Sequence, residues 1–136
     1  LIPVENQVID PHNLDQVQYR KEDISTNPYT LKPNEFVLGS TKENIHTDKD
    51  IVTLIDGRST YARLGISIHI SAMTLDGLPF SFENSVLEIK NMGNNSVLLY
   101  ANEALGTYLF ATLTEPIQGE KISPYTNQNG VTPPKS

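Results

Sequence analysis

The chain has 136 residues, of which 38% are hydrophobic and 19% charged, so we expect one compact soluble domain rather than a disordered chain. The absence of cysteine excludes disulfides, thiol catalysis and cysteine-ligated zinc. A net charge of -6 argues against non-specific binding of nucleic acid. No apolar run is long enough for a membrane helix, and the first residues lack a signal-peptide pattern, so we expect a cytoplasmic protein without a membrane partner.

Short runs rich in β-branched residues predict strands, and clusters of Asn, Gly, Pro and Asp separate them at intervals of about 8 to 12 residues. This spacing is typical of an all-β sandwich, barrel or jelly roll. In chain order the predicted strands are 6–11, 36–41, 50–56, 65–72, 85–91, 96–101 and 107–113.

The run "GISIHISA" at 65–72 alternates apolar and polar residues, which predicts a strand with one buried face. The isoleucines expected on the buried face are Ile66, Ile68 and Ile70. His69 then lies on the polar face. The three histidines of the chain are isolated in sequence, so we predict no protein-bound metal site.

The run "SVLEIKN" at 85–91 places Leu87 and Ile89 on one face of a strand and Glu88 on the other. From the residues alone, Glu88 is either a solvent-facing partner of Lys90 or a functional carboxylate. The following "NMGNN" predicts a hairpin turn between the strands that hold Glu88 and Leu98.

The last segment, 114–136, is rich in Pro, Gly, Asn and Ser and contains no run suited to a core strand. We therefore predict a β domain over 1–113 followed by a C-terminal tail. That tail is either a frayed terminus or a lid over a ligand, the second because of Tyr125 and nearby amides.

The segment "GRSTYARLG" at 57–65 combines hydroxyls with two of the three arginines of the chain. Ser59 or Thr60 could cap a short helical turn, and Arg58 and Arg63 could supply forked donors to a phosphate. The alternative from the residues alone is a loop whose arginines pair with the surplus carboxylates.

With "SVLEIKNMG", "LKPNEFVLGSTKE" and "PYTNQNGVTP", this segment resembles the dCTP deaminase family, which shares its fold with trimeric dUTPases. The resemblance covers roughly residues 30 to 134. It implies a dUTPase-like distorted jelly roll or barrel with one short helical turn, and a homotrimer. It implies hydrolysis of dCTP to dUTP and ammonia, with Mg²⁺ entering only with the triphosphate and no zinc.

The resemblance also implies roles for individual residues. Glu88 would shuttle protons without a metal, helped by Ser59, Arg63 and the carbonyl of Ala72, and Asp76 would contact the deoxyribose. The substrate-binding residues that it implies are Arg58, Ser59, Thr60, Tyr61, Ala62, Arg63, Ala72, Asp76, Val86, Leu87, Lys121, Tyr125 and Gln128.

Two alternatives stay open. The short chain also suits a dUTPase, or a bifunctional enzyme that releases dUMP and pyrophosphate. The sequence after Asp76 departs from the family pattern, which favours a nucleotide-binding homologue without turnover.

Overall fold

The computed structural model describes residues 1–75, 84–119, 124–125 and 129–135, together with the backbone of 80–82. Within these residues the protein consists of short strands and one α-helical turn, which confirms the predicted all-β class and agrees with a dUTPase-like arrangement. The strands are β1 Ile2–Pro3, β2 Tyr19–Arg20, β3 Tyr29–Leu31, β4 Phe36–Ser40, β5 Ile45–Thr47, β6 Ile51–Gly57, β7 Ile66–Ser67, β8 Thr74–Leu75, β9 Phe80–Phe82, β10 Val86–Asn91, β11 Val97–Leu99 and β12 Gly106–Thr112. The α-helix is α1, Ser59–Ala62, and a 3₁₀ turn spans Leu14–Gln16.

Two three-stranded antiparallel sheets contain the longest strands, in the orders β4-β10-β7 and β12-β6-β8. The pairs β1-β2, β11-β3 and β5-β9 form two-stranded sheets. Strand β10 is central in the first sheet: Glu88 lies opposite Leu38 of β4, and Lys90 lies opposite Ser67 of β7. Glu88 is thus placed in the middle of a sheet.

The alternation of side chains explains which strand faces are buried. In β10, Leu87, Ile89 and Asn91 are buried, whereas the residues between them are only partly covered. In β6, Thr53 and Ile55 are buried in the same way. The buried side chains form one apolar cluster: Leu31, Val37, Ile55, Tyr61, Ile66, Ile68, Leu87, Ile89 and Leu99.

One strand prediction and one hairpin prediction from the sequence are wrong. The segment 6–11 forms no strand, and Val8 is fully exposed, so its apolar residues have no face to bury. The predicted hairpin at 91–95 is also wrong, because β10 pairs with β4 and β7 while β11 pairs with β3. The backbone of Asn91 bonds to Asn34 and Glu35, which commits the end of β10 to another neighbour.

The buried face predicted for 65–72 is correct only in its first half. Ile66 and Ile68 are 3% and 2% exposed, but Ile70 is 58% exposed. Strand β7 ends at Ser67, and the amide of Ile70 donates to the side-chain carboxylate of Glu88 instead of to a backbone carbonyl. The alternation of buried and exposed residues therefore stops where a backbone amide binds the Glu88 carboxylate.

Several strands of two or three residues, among them β3 and β5, could not be predicted from the sequence, because such runs are too short to show a period. In the part of the chain that the structure describes, no helix has the length and apolarity needed to cross a bilayer.

Candidate active site

Helix α1 presents the hydroxyls of its first turn to solvent. Its N-cap is Arg58, whose backbone is extended and whose side chain makes no capping hydrogen bond. The prediction of a helical turn here is confirmed, but the predicted capping by Ser59 or Thr60 is wrong. Both residues lie inside the exposed first turn, where their hydroxyl groups can face a ligand.

Arg58 and Arg63 flank this turn, and both are exposed. The Arg58 amide donates to the carbonyl of Leu105 (3.1 Å) and its guanidinium to that of Ala104 (3.4 Å), so Arg58 is tied to the loop before β12. The only arginine salt bridge among the described residues joins Arg20 and Glu22. No carboxylate among the described residues therefore pairs with either flanking guanidinium, which suits an anion site.

Two of the predicted substrate-binding residues, Tyr61 and Leu87, have side chains in the hydrophobic core, each 7% exposed. Burial, followed by a hydrogen bond to Glu103, raises the pKa of Tyr61 to about 12. Both side chains belong to the core, and a substrate contact by either residue stays a prediction.

Glu88 is the partly buried carboxylate of β10. One carboxylate oxygen, Oε2, accepts the amide of Ile70 at 3.0 Å, and the Glu88 amide donates to the carbonyl of Ile68 at 3.0 Å. The ammonium of Lys90 instead donates to the carbonyl of Asn34, and no ion pair between Lys90 and Glu88 occurs among the described residues. Glu88 is thus held by backbone and is not half of a surface ion pair.

The segment after β7 contacts this carboxylate through the Ile70 amide. Ala72 is exposed and lies two residues beyond the Ile70 amide that binds Glu88. The structure therefore joins Glu88 to the backbone that precedes Ala72. Val86, two residues before Glu88 on the same face of β10, is partly buried.

An acid–histidine contact links this segment to the start of α1. His69 Nε2 lies 3.4 Å from Asp56 Oδ1, and Asp56 precedes Gly57 and Arg58 directly. The pKa of Asp56 is lowered, mainly by the hydrogen bond from the Gly57 amide and to a smaller extent by the hydrogen bond with His69. The two residues border a cleft whose lining is Asp56, Gly57, Ala62, Ile66, Ser67, Ile68, His69 and Met92. Ala62, a predicted substrate-binding residue, is exposed at its edge.

In the described part of the tail, Tyr125 contacts Lys135: its hydroxyl accepts the Lys135 amide at 2.9 Å, and the ammonium lies 5.8 Å from its ring centroid. The amide of Gly130 donates to Asn84 Oδ1 at 3.0 Å, which joins the tail to the residues just before β10. A substrate contact by Tyr125 stays a prediction. Asp76, Lys121 and Gln128 lie outside the described residues.

Sequence reasoning assigned no role to the Asp56–His69 contact or to the Asn84 amide. Asn91 matched the family pattern, but nothing in that match indicated its burial. A signal for Asn91 does exist, because it occupies a core-facing position of an alternating strand, where a polar side chain needs buried partners. Asn84 offers no comparable signal, since its partners lie 43 and 46 residues away along the chain.

Among the described residues, no three acidic or histidine side chains converge as a metal site would require. The prediction of a proton shuttle that needs no protein-bound metal stays a prediction.

Comparison with known proteins identifies the family of this chain. A family model described as dCTP deaminase-like matches residues 2–113. The chain is 36% identical over 108 residues to "dCTP deaminase, dUMP-forming" of Methanosphaera stadtmanae, covering 76% of this chain and 54% of that protein. It is 31% identical over 137 aligned positions to "dCTP deaminase" of Pseudomonas aeruginosa, covering 98% of this chain and 69% of that protein.

A third relative, "dCTP deaminase" of Buchnera aphidicola, is 36% identical over 110 residues, which cover 78% of this chain and 56% of the relative. The chain thus spans about half to two thirds of the length of these relatives. Since the family model covers most of the chain, and since the strands and the turn of α1 lie within the matched range, this protein belongs to the dCTP deaminase-like family.

Proposed function

We propose that this chain carries the active site of an enzyme that hydrolyses dCTP to dUTP and ammonia. The observation that supports the proposal most is the Glu88 carboxylate, partly buried in a central strand and bound at 3.0 Å by the Ile70 amide, two residues before Ala72. A carboxylate fixed in this way is oriented for proton transfer before the substrate arrives.

In the proposed reaction, water attacks C4 of the cytosine ring while Glu88 takes one of its protons and passes it to N3. This step forms a tetrahedral C4 that carries a hydroxyl and an amino group. Glu88 then moves the hydroxyl proton to the amino group, the C4–N bond breaks, ammonia leaves and C4 becomes a carbonyl. Glu88 ends in its starting state, so each turnover consumes one water.

Other residues that the family resemblance nominates would hold the water and the substrate. Ser59 and Arg63 on α1, with the carbonyl of Ala72, would donate to and accept from the attacking water. Arg58 supports this part of the proposal, because its guanidinium has no carboxylate partner among the described residues and suits triphosphate oxygens. Thr60 lies beside it in the exposed first turn.

The proposal extends to the setting of the reaction. The substrate would be the Mg²⁺ complex of dCTP, since a hard divalent cation neutralises triphosphate oxygens. A homotrimer in the cytoplasm follows from the family resemblance, and sedimentation velocity of the purified chain tests the assembly.

A second activity, release of dUMP and pyrophosphate, is favoured by the descriptions of several relatives. Three relatives, from Methanosphaera stadtmanae, Methanothermobacter thermautotrophicus and Methanospirillum hungatei, are described as dUMP-forming. Ammonia and pyrophosphate measured separately from dCTP and from dUTP distinguish the two reactions. Ammonia alone supports the deaminase, both products support the bifunctional enzyme, and pyrophosphate alone supports a dUTPase.

The decisive variant is Glu88→Gln, with Glu43→Gln as the matched control on an exposed glutamate. We expect Glu88→Gln to lose ammonia release while calorimetry shows nearly unchanged dCTP binding, because the amide keeps the shape and loses the base. Glu43→Gln should behave as wild type. Undiminished turnover by Glu88→Gln contradicts the assignment, and dCTP binding without any turnover by the wild type supports a non-catalytic homologue.

A further inference from the structure

We infer that Ser67 is a positioning residue that aims the backbone amide of Ile70 at the Glu88 carboxylate. The inference rests on the proposed function, in which Glu88 transfers the protons. Ser67 itself touches no reacting atom, because it acts through the peptide bond between His69 and Ile70. Neither the strand pattern nor the family resemblance gives Ser67 a role.

This peptide unit is held on both of its polar atoms. The Ser67 hydroxyl donates to the carbonyl of His69. The amide of Ile70, which belongs to the same peptide unit, donates to Glu88 Oε2 at 3.0 Å. Because a peptide unit is planar and rigid, the direction of its carbonyl fixes the direction of its amide. The hydroxyl therefore sets the angle at which the amide meets the carboxylate.

The place of Ser67 at the end of β7 explains why its hydroxyl reaches that carbonyl. A serine side chain at such a position can bond a nearby backbone group and turn the chain out of the sheet. The Glu88 amide still donates to the Ile68 carbonyl at 3.0 Å, so the backbone is joined to β10 up to Ile68. The turn falls at the next peptide, whose amide is thereby free to bind a side chain.

The ring of His69 gives the same peptide a second anchor. Its Nε2 lies 3.4 Å from Oδ1 of Asp56, near the end of β6. Ser67 and His69 both line the cleft beside β6 and α1, where Ser67 is partly covered. His69 is therefore restrained through its ring by Asp56 and through its carbonyl by Ser67.

The bond from Ile70 makes the two oxygens of Glu88 different. Oε2 accepts the amide, whereas Oε1 accepts no hydrogen bond from the described residues. A carboxylate held through one oxygen presents the other in a fixed direction, and proton transfer depends on such a fixed geometry. Oε1 is therefore the oxygen that exchanges protons in the reaction, and Ser67 keeps it in place.

Hydrogen bonds at the two ends of one peptide reinforce each other, because each polarises the group between them. Loss of the hydroxyl should therefore weaken the bond to Glu88 and let the peptide tilt. The effect should equal about one hydrogen bond, which is roughly tenfold in kcat, or about 1.4 kcal/mol. A serine that only stabilised the fold would lower the melting temperature and leave the kcat of folded protein unchanged.

The test compares Ser67→Ala with the control Ser96→Ala, at an exposed serine. We expect kcat for ammonia release to fall about tenfold in Ser67→Ala, with dCTP affinity from calorimetry within about threefold. Ser96→Ala should match wild type in both. Ser67→Thr keeps a hydroxyl and should retain most of the wild-type kcat, whereas Ser67→Val has nearly the same shape without a hydroxyl and should behave as Ser67→Ala.

Melting curves recorded first restrict the comparison to folded protein. Should Ser67→Ala not fold, the pair Ser67→Thr and Ser67→Val decides. Wild-type kcat in folded Ser67→Ala overturns the inference, and so does an equal kcat in Ser67→Thr and Ser67→Val.

A measurement independent of activity separates this inference from the proposed function. The Ile70 amide proton should move upfield in the NMR spectrum of Ser67→Ala, because its hydrogen bond is weaker, and should not move in Ser96→Ala. Ser67→Ala in the Glu88→Gln background should give a smaller change, because the charged acceptor is absent. An Ile70 resonance that Ser67→Ala leaves in place overturns the inference, whereas ammonia release by Glu88→Gln contradicts the proposed function.

Discussion

We expect Gly65→Ala to destabilise the fold, although the substitution adds only one methyl group. Gly65 has φ +84°, a conformation that non-glycine residues avoid. Its added Cβ would also lie 2.7 Å and 2.9 Å from the nitrogen and Cα of Gly93. Both contacts are with backbone atoms, which cannot rotate away as a side chain can.

The two contributions can be estimated separately. The left-handed conformation costs an alanine about 1–2 kcal/mol. Overlap with a backbone that must shift adds on the order of 1–3 kcal/mol. We therefore expect Gly65→Ala to lower the free energy of unfolding by about 2–5 kcal/mol, and to weaken the hydrogen bond from the Met92 amide to the Gly65 carbonyl.

Two other glycines supply matched controls. Gly119 has φ +82° with nothing within 4 Å of an added Cβ, so Gly119→Ala measures the conformational cost alone. Gly57 lacks both the positive φ and the contact, so Gly57→Ala should be close to neutral. Urea unfolding followed by circular dichroism gives all three values. If Gly65→Ala and Gly119→Ala lower the free energy of unfolding equally, the close approach of the Gly65 and Gly93 backbones does not contribute to the destabilisation.

Three further predictions concern single side chains. The pKa of Tyr61 is raised from 10.0 to about 12, so the protonated phenol stabilises the fold below pH 10, and this contribution is lost as the pH rises through about 12. Tyr61→Phe should therefore flatten the alkaline decline in the free energy of unfolding. The pKa of Asp56 is lowered from 3.8, so the ionised carboxylate stabilises the fold above pH 3.8, and this contribution is lost as the pH falls through the lowered pKa. Asp56→Asn should therefore flatten the decline of the free energy of unfolding in acid. Asn84→Ala removes the acceptor of the Gly130 amide, which should cost about 1 kcal/mol and speed limited proteolysis of the tail.

Each of these outcomes has a contrary result that is easy to recognise. If the free energy of unfolding of a variant changes with pH as that of wild type does, the titration of the substituted residue does not contribute to stability. Unchanged tail proteolysis in Asn84→Ala means that other contacts hold the tail. Asn94→Ala, at an exposed asparagine, is the control for the proteolysis.

The sequence was sufficient where local pattern decides structure. The long strands β4, β6, β10 and β12 and the turn of α1 were all predicted, because each carries either a two-residue period or clear boundary residues. The alternation in β10 also gave the correct faces for Leu87 and Glu88. These features depend on neighbours within a few residues of each other.

The sequence failed where pairing is decided at long range. The Asn and Gly residues of 91–95 do predict a turn, but they do not determine which strand the chain joins afterwards. That choice depends on contacts with residues 60 positions away, such as the bond from Asn91 to Leu31. Ile70 likewise breaks the period of its strand because its amide binds Glu88, 18 residues away. Long-range polar bonds of this kind leave no local pattern.

Strand β10 shows why core and proposed site are energetically coupled. Leu87 and Ile89 are buried on one face, so the face that carries Glu88 between them is fixed by the core. A slip of one residue would bury the carboxylate and expose both apolar side chains, at about 1.5–3 kcal/mol for each in addition to the cost of the buried charge. Asn91, on the core-facing side, adds bonds that fit only one register. Core substitutions that loosen this strand should therefore lower turnover before they unfold the protein.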